Sequence, residues 1–159
     1  MGKRDVVGSL AVLLTVFAAA CATSRSAATE DPRGTLDAFV AALNHADVDA
    51  MMRLFAPDAT AFLPVDSSPR ELVGAEAIRG VFEPLFRDIR EGKSGPDYMH
   101  IVPKDVHVQR SGEAAVVTFD AGSGPVTSRR TLVMSESPGG WRIVHFHGSN
   151  VRISSGPLP

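Results

Sequence analysis

Two histidines spaced two residues apart, His145 and His147, are the clearest chemical signal in this chain. They lie in Trp141-Arg-Ile-Val-His-Phe-His-Gly-Ser149, which follows a Pro-Gly-Gly turn and reads as a β-strand. Positions two apart on a strand share a face. Trp141, Ile143, His145 and His147 therefore fall on one side, and Arg142, Val144, Phe146 and Gly148 on the other. Paired imidazoles at this spacing occur in metal sites, which need further ligands. His100, His107 or a neighbouring acid would have to supply one, and no pattern marks it. The pair reads as structural or interfacial, with no metal and no cofactor expected.

Asp120 is the acid embedded in an otherwise apolar strand. A carboxyl in an apolar pocket has its pKa raised by desolvation, enough to move protons near neutral pH. Its parity is opposite to that of Phe119 and Ala121, so a bulge would be needed to aim it inward. It reads as a solvated acid at a strand end. Ser-His-Asp chemistry, phosphate loops and nucleotide fingerprints are not visible, and the glycines at Gly122 and Gly139 belong to turns. A formal net charge of −2 gives no reason to expect nucleic-acid binding.

The single cysteine, Cys21, points elsewhere. Lys3 and Arg4 precede an uncharged apolar run from Val6 to Ala20, too short for a confident membrane span and suited to an export signal. The run ends in Ala18-Ala19-Ala20-Cys21, which resembles a bacterial lipobox, where cleavage precedes an acylated cysteine. The expectation is a signal peptide over residues 1–20, lipidation at Cys21 and a flexible polar tether over 21–33. The protein would then sit in the cell envelope, anchored to a membrane by lipid. The mature chain would keep no free thiol and no disulfide.

The elements that must position these residues divide into helices first and strands second. Leu36, Phe39, Val40 and Leu43 share a helix face, with Thr35 as candidate N-cap. Asp47 caps a second helix with a stripe of Val48, Met51, Met52 and Phe55, ending at Pro57. Ala59 to Val65 reads as a short strand. Gly74 opens a third helix, Ala75 to about Arg90, with Ile78, Phe82, Leu85, Phe86 and Ile89 on one face and Pro84 expected to kink it or start a fresh segment. Tyr98 to Gln109 is extended and interrupted at Pro103. Glu113 to Ala121, Val126 to Glu136 and the Trp141 strand follow, joined by tight turns. Three helices against one face of a curved antiparallel sheet make an α+β domain, spanning residues 34–153 with a tail over 154–159.

In this order and spacing the pieces resemble the nuclear transport factor 2-like (SnoaL-like) superfamily of cone-shaped domains. They are most similar to its calcium/calmodulin-dependent protein kinase II association-domain type. The residues that carry the resemblance are Leu43-Asn-His-Ala-Asp-Val-Asp49, Val73-Gly74 before the helix containing Phe82-Glu83-Pro84-Leu85-Phe86, and Val106-His-Val108 before Gly112-Glu113. Gly140-Trp141 with Val144-His-Phe-His147 is the most specific. The resemblance implies a pocket inside the cone and a homodimer or larger homo-oligomer. The association domain's pocket arginines would fall here at Ala121, Leu132 and Gly148, its histidine at Ile78 and its tryptophan at Phe86, so the pocket should be apolar. Its strand orientation would turn Phe119, Arg130, Leu132 and Phe146 inward, and leave Trp141, His145 and His147 on the face where relatives make subunit contacts.

The implied pocket is lined by Phe62, Ile78, Phe82, Phe86, Phe119, Leu132 and Phe146. Arg130 is placed to hold a ligand's polar end or to pair with a helix acid such as Glu76 or Glu83. The expected function is binding of a small apolar molecule, self-assembly, or both. The alternative is an enzyme of the isomerase, dehydratase or hydrolase type acting on a small apolar substrate, and it rests on the superfamily resemblance alone.

Overall fold

Asp31 starts the fold. In the computed structural model, which describes residues 31–65, 68, 70–122 and 126–152, its carboxylate accepts hydrogen bonds from the backbone of Arg33 (2.6 Å) and Gly34 (3.0 Å). With Pro32 at the first helical position, this caps helix α1, Pro32–Asn44. The cap is therefore Asp31 rather than Thr35, which lies buried within the helix. The export signal, Cys21 and most of the tether, like residue 153 and the tail over 154–159, lie outside the described residues.

Ala46, with φ of 49°, turns the chain between α1 and α2, and Asp47 caps α2 by accepting from the backbone of Ala50 at 2.8 Å. Helix α2 is only Val48–Met52. Phe55 does not close it but opens strand β1, Phe55–Phe62, because its backbone is recruited beside Ile143 of the last strand. The expected strand ending at Val65 stops at Phe62, before Pro64. A two-residue strand, β2 (Leu72–Val73), pairs antiparallel with β1.

Helix α3, Ala75–Gly92, runs through Pro84 without a break and buries Ile78, Phe82 and Phe86 at successive four-residue intervals. The carbonyl that Pro84 cannot bond belongs to Gly80, which is exposed and has open space around its α-carbon, so water can satisfy it. The chain then returns as a strap over residues 93–103 before β3 (Lys104–Ser111), β4 (Ala114–Ala121), β5 (Val126–Ser137) and β6 (Gly140–Arg152). Asn44 ties the strap down. Its side chain donates to the Ile101 carbonyl at 3.1 Å and accepts from the Ile101 amide at 2.8 Å, and its own carbonyl accepts from Met99 at 3.1 Å.

The six strands form one sheet in the order β2-β1-β6-β5-β4-β3. All neighbours are antiparallel except β1 and β6, which run parallel, so the sheet is mixed rather than wholly antiparallel. Its concave face carries Ala115, Val117, Phe119 and Ala121 from β4 with Leu132 and Met134 from β5, all buried. Phe39 of α1 fills the centre, with ring centroids 6.2 Å from Phe55 and 5.3 Å from Phe146.

A bulge in β6 decides which residues reach that core. Met134 stands opposite Ile143, but the next pair is Val133 opposite His145, so Val144 has no cross-strand partner. Parity flips there. Trp141 and Ile143 before the bulge share the concave face with Phe146 and Gly148 after it.

Candidate functional site

A cavity of about 140 Å³ lies between α3, the strap and the concave face of the sheet. Phe82, Leu85 and Phe86 line it from α3 and Leu43 from α1. Leu63, Pro64 and Val65 close it from the end of β1, and Met99 and Ile101 from the strap. Phe146 of β6 and Arg130 of β5 form the sheet side. Helix periodicity supplies the first group, and the Asn44 clamp holds the strap residues in place.

Among the described residues, Arg130 is the only one lining the cavity whose side chain is charged. It stands opposite Phe119 on β4 and Gly148 on β6, and is half-buried. Its Nη1 donates to the carbonyls of Arg129 (3.0 Å) and Ser149 (3.1 Å). Removal from water lowers its pKa below the usual arginine value. Among the described residues it pairs with no carboxylate, and the helix acids Glu76 and Glu83 do not reach it. Gly148 makes the arrangement possible. A β-carbon there would stand 2.8 Å from Pro64 Cδ and 3.4 Å from Arg130 Cζ, so any side chain would force Pro64 away.

A model of the SnoaL-like domain family matches residues 33–154. The chain belongs to that family. No sequence among curated proteins matches it. Among solved structures, the SnoaL-like domain is similar to the calcium/calmodulin-dependent kinase hub (CaMKII hub) of S. rosetta, at 23% identity over 75% of this chain and 93% of that one, with a TM-score of 0.58. A ketosteroid isomerase-like protein from Erwinia carotovora atroseptica gives 20% identity, 76% and 94% coverage and a TM-score of 0.59. An NTF2-like protein from Pseudomonas putida gives 20%, 74% and 82%, and 0.60. At these identities the likeness establishes the shared fold.

The SnoaL-like domain brings together Phe82, Phe86, Phe146 and Arg130 at the cavity. Ile78, Phe119 and Leu132 are buried in the adjoining core but do not line it. Phe62 is not a lining residue: it is 41% exposed on the outer sheet face, because Ala61, not Phe62, shares the parity of Phe146. Trp141 is likewise not on the outer face with the histidines. It is 2% exposed, turned into the core by the Val144 bulge.

On the outer face Phe62 meets the rings of His145 at 6.0 Å and His147 at 5.8 Å between centroids. His145 Nδ1 shares a 2.7 Å hydrogen bond with Thr60 Oγ1. Among the described residues no group of three potential ligands could hold a metal ion. Asp120 pairs opposite Arg129, and together they border an open groove with Asp105, His107 and Arg130, so Arg130 stands between that groove and the apolar cavity. The strap residues Met99 and Ile101 were not anticipated. The only local signal was their apolar alternation after the loop at residues 91–97.

Proposed function

We propose that this SnoaL-like domain binds a small apolar molecule in the cone cavity, on a chain exported and anchored by lipid at Cys21. The supporting observation is the cavity itself: about 140 Å³, lined by aromatic and aliphatic side chains with one polar group. An apolar cavity of roughly 150 Å³ stays dry and accepts benzene, so a single six-membered ring is the right scale. Among the described residues no carboxyl or imidazole lines the cavity, which favours binding over the proton-transfer chemistry of the enzyme alternative. A second reading, self-association through the outer sheet face, is supported by the exposed Phe62 beside His147.

Toluene tests the cavity. At about a hundredfold excess over Kd, a ligand that binds only the folded state adds roughly 2.7 kcal/mol, which should raise Tm by about 5–10 °C in a domain of this size. An unchanged Tm, with no chemical-shift changes at Phe86 or Phe146 in NMR spectra, would exclude a ligand cavity. For the anchor, Cys21→Ser should abolish palmitate labelling in the bacterial host and move the protein from the membrane to the soluble fraction. Retained label would show that Cys21 is not the acylated residue.

A further inference from the structure

Among the described residues, no carboxylate forms an ion pair with the one positive charge at the cavity. A guanidinium carries five N–H donors in a planar fork. Nη1 of Arg130 is engaged by two backbone carbonyls, while Nε and Nη2 donate to nothing among the described residues. Holding such a group partly out of water without an anion is unfavourable, and pairing it with one is not. Every other described side chain at the cavity is apolar, and Asp105 and Asp120 of the adjoining groove, which Arg130 also lines, form no ion pair with it.

We propose that the occupant is a monocarboxylic acid with a benzene-sized apolar body, its carboxylate on the free edge of Arg130 and its body between Phe82, Phe86 and Phe146. This rests on the ligand-cavity reading and names the class of ligand. A carboxylate fits because the fork is planar and bidentate. A single charge fits because no second cation lines the cavity among the described residues. A body of one ring fits because the volume is about 140 Å³. The arginine positions implied by the family resemblance play no part here, since Ala121, Leu132 and Gly148 carry no charge. The charge comes instead from Arg130, whose Cζ lies over the space left by Gly148.

Calorimetric titration of the full chain with phenylacetate, its neutral analogue phenylacetamide, and toluene tests the assignment. Phenylacetate should bind at least tenfold more tightly than phenylacetamide, and Arg130→Met should remove that advantage. Equal affinities for acid and amide, or an advantage that survives Arg130→Met, would overturn the acid assignment. Toluene binding without any response to phenylacetate would overturn it while leaving the cavity reading intact. No binding of any of the three would remove both. The acid–amide comparison needs no variant, so it decides the question even if Arg130→Met fails to fold.

Discussion

Trp141→Ala should lower the stability of the domain by about 3–5 kcal/mol while leaving its state of association unchanged. The indole is 2% exposed, and the Arg110 guanidinium covers it at 4.8 Å from the ring centroid. Arg110 is itself held by Glu136 at 3.7 Å. The cost falls on a total stability of only about 5–15 kcal/mol for an ordinary domain, so the urea midpoint should move far. One offset exists: the indole Nε1 has no hydrogen-bond partner among the described residues, so removing it also removes a buried unsatisfied donor. Trp141→Phe, which keeps most of the ring and drops that donor, should therefore cost much less. Phe62→Glu should do the reverse, dissociating any oligomer in sedimentation velocity with little change in the urea midpoint. If Trp141→Ala altered sedimentation and left the midpoint where it was, Trp141 would be a contact residue after all and the Val144 bulge would be misplaced.

The Trp141 strand shows where a sequence reading runs out. Alternation orients a strand only while its register is unbroken, and one unpaired residue inverts everything beyond it. Val144 is chemically an ordinary strand residue, so nothing in Ile143-Val144-His145 announces the bulge. On β4, where the register is regular, alternation read from Val117, Phe119 and Ala121 matches the buried face residue for residue. Helix periodicity was equally legible: Ile78, Phe82 and Phe86 follow from spacing alone. Phe62 misled for a different reason. An aromatic ring suggests a core position, but the inward positions of β1 are Ala59 and Ala61, small because α3 crosses the strand there. The parallel pairing of β1 with β6 and the clamp of Asn44 on Ile101, 57 residues away, are long-range events. Local patterns do not encode their partners, and so half of the cavity wall was invisible while its α3 side was not.

Phe86→Ala should cost about 3–5 kcal/mol as well, and this loss should be recoverable by a ligand. Phe86 is fully buried, its ring centroid 5.4 Å from that of Phe82, and it lines the cavity. Truncation therefore adds its space to a void that already exists, instead of opening a separate one. The penalty of a cavity grows by about 24 cal/mol per Å³ of residual volume, and a molecule that occupies the void restores the lost contacts. Naphthalene should bind the variant more tightly than the parent and raise its urea midpoint, returning roughly 2.7 kcal/mol at a hundredfold excess over Kd. A Phe86→Ala protein that lost little stability, or that naphthalene failed to stabilise, would mean that the ring does not bound the cavity. In that case the apolar wall opposite Arg130, on which the ligand reading depends, would be gone.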